Sequence, residues 1–201
     1  EPITYIFEQK ANNFNVKWHL DKISASAAWD LQQGSANIKV AVVDDAVWGG
    51  HPDLQLSGSN LCKVYGSYNP SYSTGTVTAA NPPSSVNQNT NCSNLNNCAS
   101  YEWSHGTHCA GAVGAKNNNG VGIASIGGGV TVMGIRTADD NSYLIYTLYG
   151  VQWAANNGAK VISMSFGSYS QDNTERNLMQ TCYDHGIILV AAAGNEGDEG
   201  N

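Results

Sequence analysis

Three residue types able to share one hydrolytic reaction stand far apart in this chain. Asp44 closes the apolar run Val40-Ala41-Val42-Val43. His105 opens the small-residue segment His105-Gly106-Thr107-His108, and Asn195 follows Ala191-Ala192-Ala193-Gly194. An imidazole titrates near neutrality, which suits it to take the proton of a weak nucleophile such as a hydroxyl. A carboxylate that accepts the other ring N–H fixes the tautomer and stabilises the imidazolium that forms. A side-chain amide can donate to an oxyanion as it develops. The plainer readings are a polar-bonded histidine and a turn asparagine. The nucleophile is not evident: Ser165 belongs to a strand and has no tight turn around it.

The elements that must carry these residues alternate between strand and helix. Residues 38–43 and 130–135 read as nearly continuous apolar strands, as a buried parallel sheet requires. Residues 161–165 and 187–193 read as two more. Helices are expected over 23–31, capped by Ser24 or Ser26 and ended by Gly34, and over 107–113, 143–156 and 174–185. This alternation predicts an α/β three-layer sandwich with a mainly parallel sheet and right-handed crossovers. Active residues of such folds gather beyond the carboxyl ends of the strands, and Asp44, Ser165 and Asn195 all stand at such ends. Residues 1–17 lack a period and read as an N-terminal extension or linker, with the domain over 18–201. Residues 66–104, rich in Ser, Thr, Asn and Tyr, form a long surface excursion able to rim a cleft.

Composition narrows the classes. The 201 residues are 41% hydrophobic and 12% charged, enough for one domain with a real core. The net charge of -7, with no basic cluster, argues against a nucleic-acid partner. No apolar run is long enough for a membrane span. The start at Glu1 without Met suggests prior removal of a leader. Five cysteines leave one unpaired at least. Cys92 and Cys98 bracket an Asn-rich loop that a short disulfide would hold in an oxidising compartment; free thiols or a metal are the alternatives, and zinc lacks a partner pair. Cys109 reads as a buried thiol, and Cys62 and Cys182 as partners for each other, for Cys92 or Cys98, or for a further segment. Asn91-Cys92-Ser93 matches a glycosylation acceptor and is not expected to be used.

From Trp18 to Asn201 the chain resembles the subtilisin-like serine peptidases. Val40-Ala41-Val42-Val43-Asp44 with His51-Pro52-Asp53-Leu54 resembles the catalytic-Asp segment of that family, and His105-Gly106-Thr107-His108-Cys109-Ala110-Gly111 its catalytic-His segment. Ala191-Ala192-Ala193-Gly194-Asn195-Glu196-Gly197 resembles its oxyanion-Asn segment, and Ser163-Met164-Ser165-Phe166-Gly167 its substrate-binding strand. The resemblance implies Asp44 and His105 as acid and base and Asn195 as oxyanion donor, with His108 a helix-packing or hydrogen-bonding residue. It implies that Ser165, Phe166 and Gly167 pair with an extended substrate backbone, opposite Asn141, Ser142 and Tyr143, with Ala192 and Gly194 leaving room for a side chain. Asp53 and Asn118 are implied ligands of a structural Ca²⁺, and no cofactor is implied for catalysis.

Two departures stand out. The residues after Asp44 are Asp45-Ala46, where the family usually has Ser or Thr and then Gly; strand alternation would turn Asp45 away from Asp44, where it tunes the potential around the base. The nucleophile motif Gly-Thr-Ser-Met-Ala is absent from the 201 residues. The expectation is a secreted, periplasmic or cell-surface serine endopeptidase whose Ser comes from a C-terminal part of the same precursor, this chain alone being inactive. Peptides or proteins are the substrates, and a propeptide is a further possible partner. The rivals are an inactive pseudopeptidase or peptide-binding module, and a fragment without function of its own.

Overall fold

The computed structural model describes residues 18–54, 61–63, 80–81, 103–120, 122–139, 141–168, 172–195 and 197. The 1–17 extension, most of the 66–104 excursion, Cys92, Cys98 and the glycosylation motif lie outside the described residues. Five parallel strands form one sheet in the order β2-β3-β1-β4-β5: β1 (Lys39–Asp44), β2 (Leu61–Lys63), β3 (Thr131–Arg136), β4 (Val161–Met164) and β5 (Ile188–Ala191). The short edge strand β2 carries no signal in the sequence. The other four fall where the apolar runs place them.

β1 lies at the centre because both its faces are apolar. Ala41 and Val43 point to one layer, where Val151, Trp153 and Ala154 of α4 (Thr147–Asn156) and Cys182 of α5 (Asn173–Asp184) close the larger core. Val42 points to the opposite layer and meets Val47, Leu54, Ala80 and Ala110, the last from α3 (His105–Gly114). Helices on both faces make the three-layer α/β sandwich expected from the sequence.

α3 packs unusually close to the sheet. A Cβ added to Gly114 would come within 2.3 Å of Val132 Cγ2, and one added to Gly106 within 2.4 Å of the Ala46 carbonyl oxygen. Only glycine permits such an approach.

Three local expectations change. The helix expected over 23–31 is the shorter α2 (Ala25–Trp29), and an unforeseen α1 (Trp18–Lys22) precedes it, with Ser24 between them in the left-handed region at φ 55°. Ser24 makes no side-chain cap, and Gly34 lies beyond the helix. α4 starts at Thr147 rather than Tyr143, because the Asp139 carboxylate accepts the N–H groups of Asn141 and Tyr143 and Leu144 bridges to Ala138 in extended form. Cys182 is a free thiol buried in the core, not half of a disulfide, and Cys109 is free and only partly buried.

Candidate active site

The site lies beyond the carboxyl end of β1. There the Asp44 carbonyl accepts both the backbone N–H of Thr137 at 2.9 Å and its hydroxyl at 2.8 Å. These bonds hold the end of β1 against β3. The Asp44 carboxyl, 1% exposed, accepts the Asp45 N–H on Oδ1 at 2.8 Å and stands 2.8 Å from His105 Nδ1. Its Oδ2 is buried without a hydrogen-bond partner.

His105 is the first residue of α3, and its side chain is 55% exposed while that of Asp44 is 2% exposed. Its Nδ1–H faces the carboxylate, so Nε2 is left to act as base toward the open side. The hydrogen bond to Asp44 raises the imidazole pKa above its ordinary value, against a smaller lowering by burial. An acid–base dyad with one wet end is the arrangement that general-base chemistry requires.

Asp45 does not turn away as strand alternation predicts. β1 ends at Asp44, and the Asp45 carboxyl swings to the same helix end. Its Oδ1 accepts the N–H of Gly106 at 2.8 Å and the N–H of Ala46. Burial raises its pKa to about 6, with the neighbouring Asp44 adding to the rise and the two backbone bonds opposing it.

One further group closes on the dyad. Cys109, one turn along α3, has its Sγ 3.9 Å from His105 Nδ1, and its thiol is also within hydrogen-bonding reach of Ser165. Burial pushes the thiol up to about 11, which keeps it protonated and removes it as a rival nucleophile. The i, i+4 spacing from His105 is the sequence signal that would have found it. His108 is exposed on the outer side of the helix.

The implied substrate walls lie at the same end of the sheet. Ser165 and Phe166 directly follow β4 and are half-buried, and Gly167 is exposed. β5 runs level with β4, so that the Ala192 N–H donates to the Met164 carbonyl at 3.1 Å, and Ala192, Gly194 and Asn195 continue beyond it, all exposed. Across β1 from these, Asn141 and Tyr143 are exposed and Ser142 is in the left-handed region at φ 66°.

Arg136 organises that wall and was not foreseen. It is 3% exposed at the end of β3, and its guanidinium donates to the carbonyls of Asn81, Ala138 and Asp139 and lies 4.6 Å over the Trp103 ring. A cation ending the apolar run 130–135 was the available clue.

The loop after α3 closes on Asp53, one of the two implied calcium ligands. Asp53 is 1% exposed, but its Oδ1 accepts from Asn119 Nδ2 and its Oδ2 from the Ile123 N–H, each at 2.8 Å. Asn119, rather than Asn118, supplies the side chain that meets Asp53. Calcium takes oxygen ligands, and each Asp53 oxygen already receives one N–H group from this loop. Among the described residues no helix is long and apolar enough to cross a membrane.

Residues 35–201 match the Subtilase family. The chain is 33% identical over 179 residues to thermitase of Thermoactinomyces vulgaris, covering 88% of this chain and 54% of that protein. It is 32% identical over 190 residues to fervidolysin of Fervidobacterium pennivorans, covering 90% of this chain and 24% of that protein. The minor extracellular protease Epr of Bacillus subtilis is 29% identical over 190 residues, with 94% and 24% covered. The crystal structure of fervidolysin, a keratinolytic enzyme related to subtilisin, superposes with a TM-score of 0.65 at 30% identity over 89% of this chain and 24% of that one. The chain thus spans about half of thermitase and a quarter of fervidolysin and Epr.

Proposed function

The chain belongs to the subtilase family, and on that premise we propose that it is the acid–base half of a serine endopeptidase. The observation that carries the reading is the 2.8 Å pair between buried Asp44 and half-exposed His105. His105 Nε2 takes the proton of a serine hydroxyl as its oxygen attacks the peptide carbonyl carbon. The oxyanion accepts a hydrogen bond from the Asn195 side chain and a second from the N–H of that serine. His105 then passes the proton to the leaving amine, and water repeats the cycle on the acyl ester. Asp44 holds the ring and stabilises its protonated form. The extended substrate backbone lies between residues 165–167 and 141–143 as an added strand, with a side chain received beside Ala192 and Gly194.

The serine comes from polypeptide outside these 201 residues, none of which forms a Gly-Thr-Ser sequence. Support comes from β5, the strand at one side of the sheet, where Ile188 and Val190 are 62% and 50% exposed. Apolar side chains of that size on a parallel strand call for cover, and the Ser-bearing part supplies it. Secretion is the location proposed, by likeness to the extracellular protease Epr. A propeptide is a further proposed partner; no catalytic cofactor enters the cycle.

A fluorophosphonate probe applied to the native preparation tests the reading. Label on a serine of the associated polypeptide, lost on His105→Ala, is the expected result. Absence of any label from a preparation in which both parts are present would overturn it and favour a peptide-binding pseudopeptidase.

A further inference from the structure

Asp45 occupies a position in which the mechanism above gives it no task, yet it is 6% exposed and bonded on both sides of the site. Its Oδ1 receives two amide hydrogens, one from Ala46 beyond the end of β1 and one from Gly106 in the first turn of α3. The residue before Gly106 is His105, and the residue before Asp45 is Asp44. A single carboxyl oxygen therefore ties together the two backbone segments whose side chains make the dyad. There is no slack in this joint: a Cβ on Gly106 would lie 2.8 Å from Asp45 Oδ1 and 2.7 Å from Asp44 Cβ.

We infer that Asp45 is a positioning residue, whose Oδ1 clamps the first turn of α3 to the end of β1 and so holds the His105 imidazole on Asp44. The inference rests on the peptidase reading, and it differs from a general packing role in what the charge does. The groups facing Asp45 are Asp44 on its own segment and His105 and Cys109 from α3. From β3, Arg136 directs its guanidinium to the carbonyls of Asn81, Ala138 and Asp139. The ionised Asp45 raises the pKa of His105, as Asp44 does more strongly. The clamp itself needs only an acceptor oxygen. An amide preserves the clamp and deletes the charge, whereas a methyl group deletes both.

Asp45→Asn and Asp45→Ala in the assembled peptidase separate these effects. Asp45→Ala is expected to lower kcat about tenfold with KM little changed, the size of a lost hydrogen bond to a charged group. Asp45→Asn is expected to restore most of that loss, and in both variants the acid limb of kcat/KM moves to lower pH. Nuclear magnetic resonance supplies a readout that does not depend on turnover. The downfield Nδ1–H proton of His105, bonded to Asp44, persists in Asp45→Asn and broadens away in Asp45→Ala. Full kcat in Asp45→Ala, equal damage in the two variants with both folded, or an unmoved acid limb would each overturn the inference. A wild-type preparation without activity that keeps the same proton pattern across the variants would count against the peptidase reading and leave the clamp standing.

Discussion

Gly106→Ala is the perturbation that bears most directly on how the dyad is held. The added Cβ would lie 2.4 Å from the Ala46 carbonyl oxygen, 2.7 Å from Asp44 Cβ and 2.8 Å from Asp45 Oδ1. Real Cβ atoms essentially never approach within 3.0 Å, so the closest contact must open by about 0.6 Å. Two of the three obstacles are backbone and Cβ atoms, which cannot rotate aside, so α3 itself must retreat. That motion lengthens the 2.8 Å bonds of Gly106 to Asp45 and of His105 to Asp44 together. Overpacking of this kind destabilises by about 1–3 kcal/mol, and since a 1 Å misplacement at a reacting group costs about 10²-fold, a retreat of about 0.6 Å should lower turnover roughly tenfold. The assay pairs kcat/KM of the assembled peptidase with thermal unfolding. Gly111→Ala on the same helix is the control: its Cβ meets only Ile123 Cδ1, at an ordinary 3.5 Å. It should keep activity and gain up to about 1 kcal/mol of helix propensity. Wild-type turnover in Gly106→Ala, or equal effects at the two glycines, would refute the close-approach argument.

Four further outcomes follow from the same geometry. Asp44→Asn presents an N–H to His105 Nδ1, imposes the wrong tautomer and should lower kcat about 10⁴-fold with folding intact by circular dichroism. The His105 pKa is raised, so the imidazole holds its proton above the ordinary 6.5 and the acid limb of kcat/KM should lie above that pH; a limb below it would contradict the hydrogen bond to Asp44. Asp45 has a folded pKa near 6 against 3.8, so its contribution to stability is fully present below pH 3.8 and is lost as pH rises through 6; thermal scans should show Asp45→Asn gaining on the wild type across that window, and a gap that narrows as pH rises would be the wrong sign. Trp29→Ala removes a side chain 5% exposed, packed with Leu20, Ala25 and Ala124 and bonded to the Ile126 carbonyl, and denaturant melts should show a loss of about 3–5 kcal/mol.

The sequence was most readable where a single local rule governed the outcome. Apolar runs ending at Asp44 and Met164 marked strands because a strand buried on both faces admits little else. The dyad was readable because its residues sit at the ends of such elements. Readability failed where one particular side-chain contact overruled a pattern rule. Leu144 and Leu148 continue the helical spacing of α4, yet the Asp139 carboxylate captures two backbone N–H groups and keeps residues 141–146 out of the helix. Asp53 sits in a metal-like context, yet the loop returns an amide and an Asn side chain to it, and no composition rule distinguishes N–H from C=O pointing inward. Asp45 escaped the alternation rule because the strand had already ended. The buried thiol of Cys182 looked like a disulfide partner only until α5 placed it in the core.

The central place of β1 has a consequence in time. Both of its neighbours are parallel, so neither is reachable through a hairpin. Thr137, which fastens the Asp44 carbonyl, lies 93 positions later in the chain. At synthesis rates of about 5–20 residues per second, β1 waits on the order of 5–20 s for its first partner, and longer for β4. Meanwhile Lys39-Val40-Ala41-Val42-Val43 has two bare edges, and His105 leaves the ribosome before the surface that seats α3 exists. Such non-local pairing places this chain among slow folders, with a nascent stage open to misassociation. Recovery of native protein should therefore fall steeply with chain concentration during refolding, governed by a strand that in the finished molecule is paired on both edges and buried on both faces.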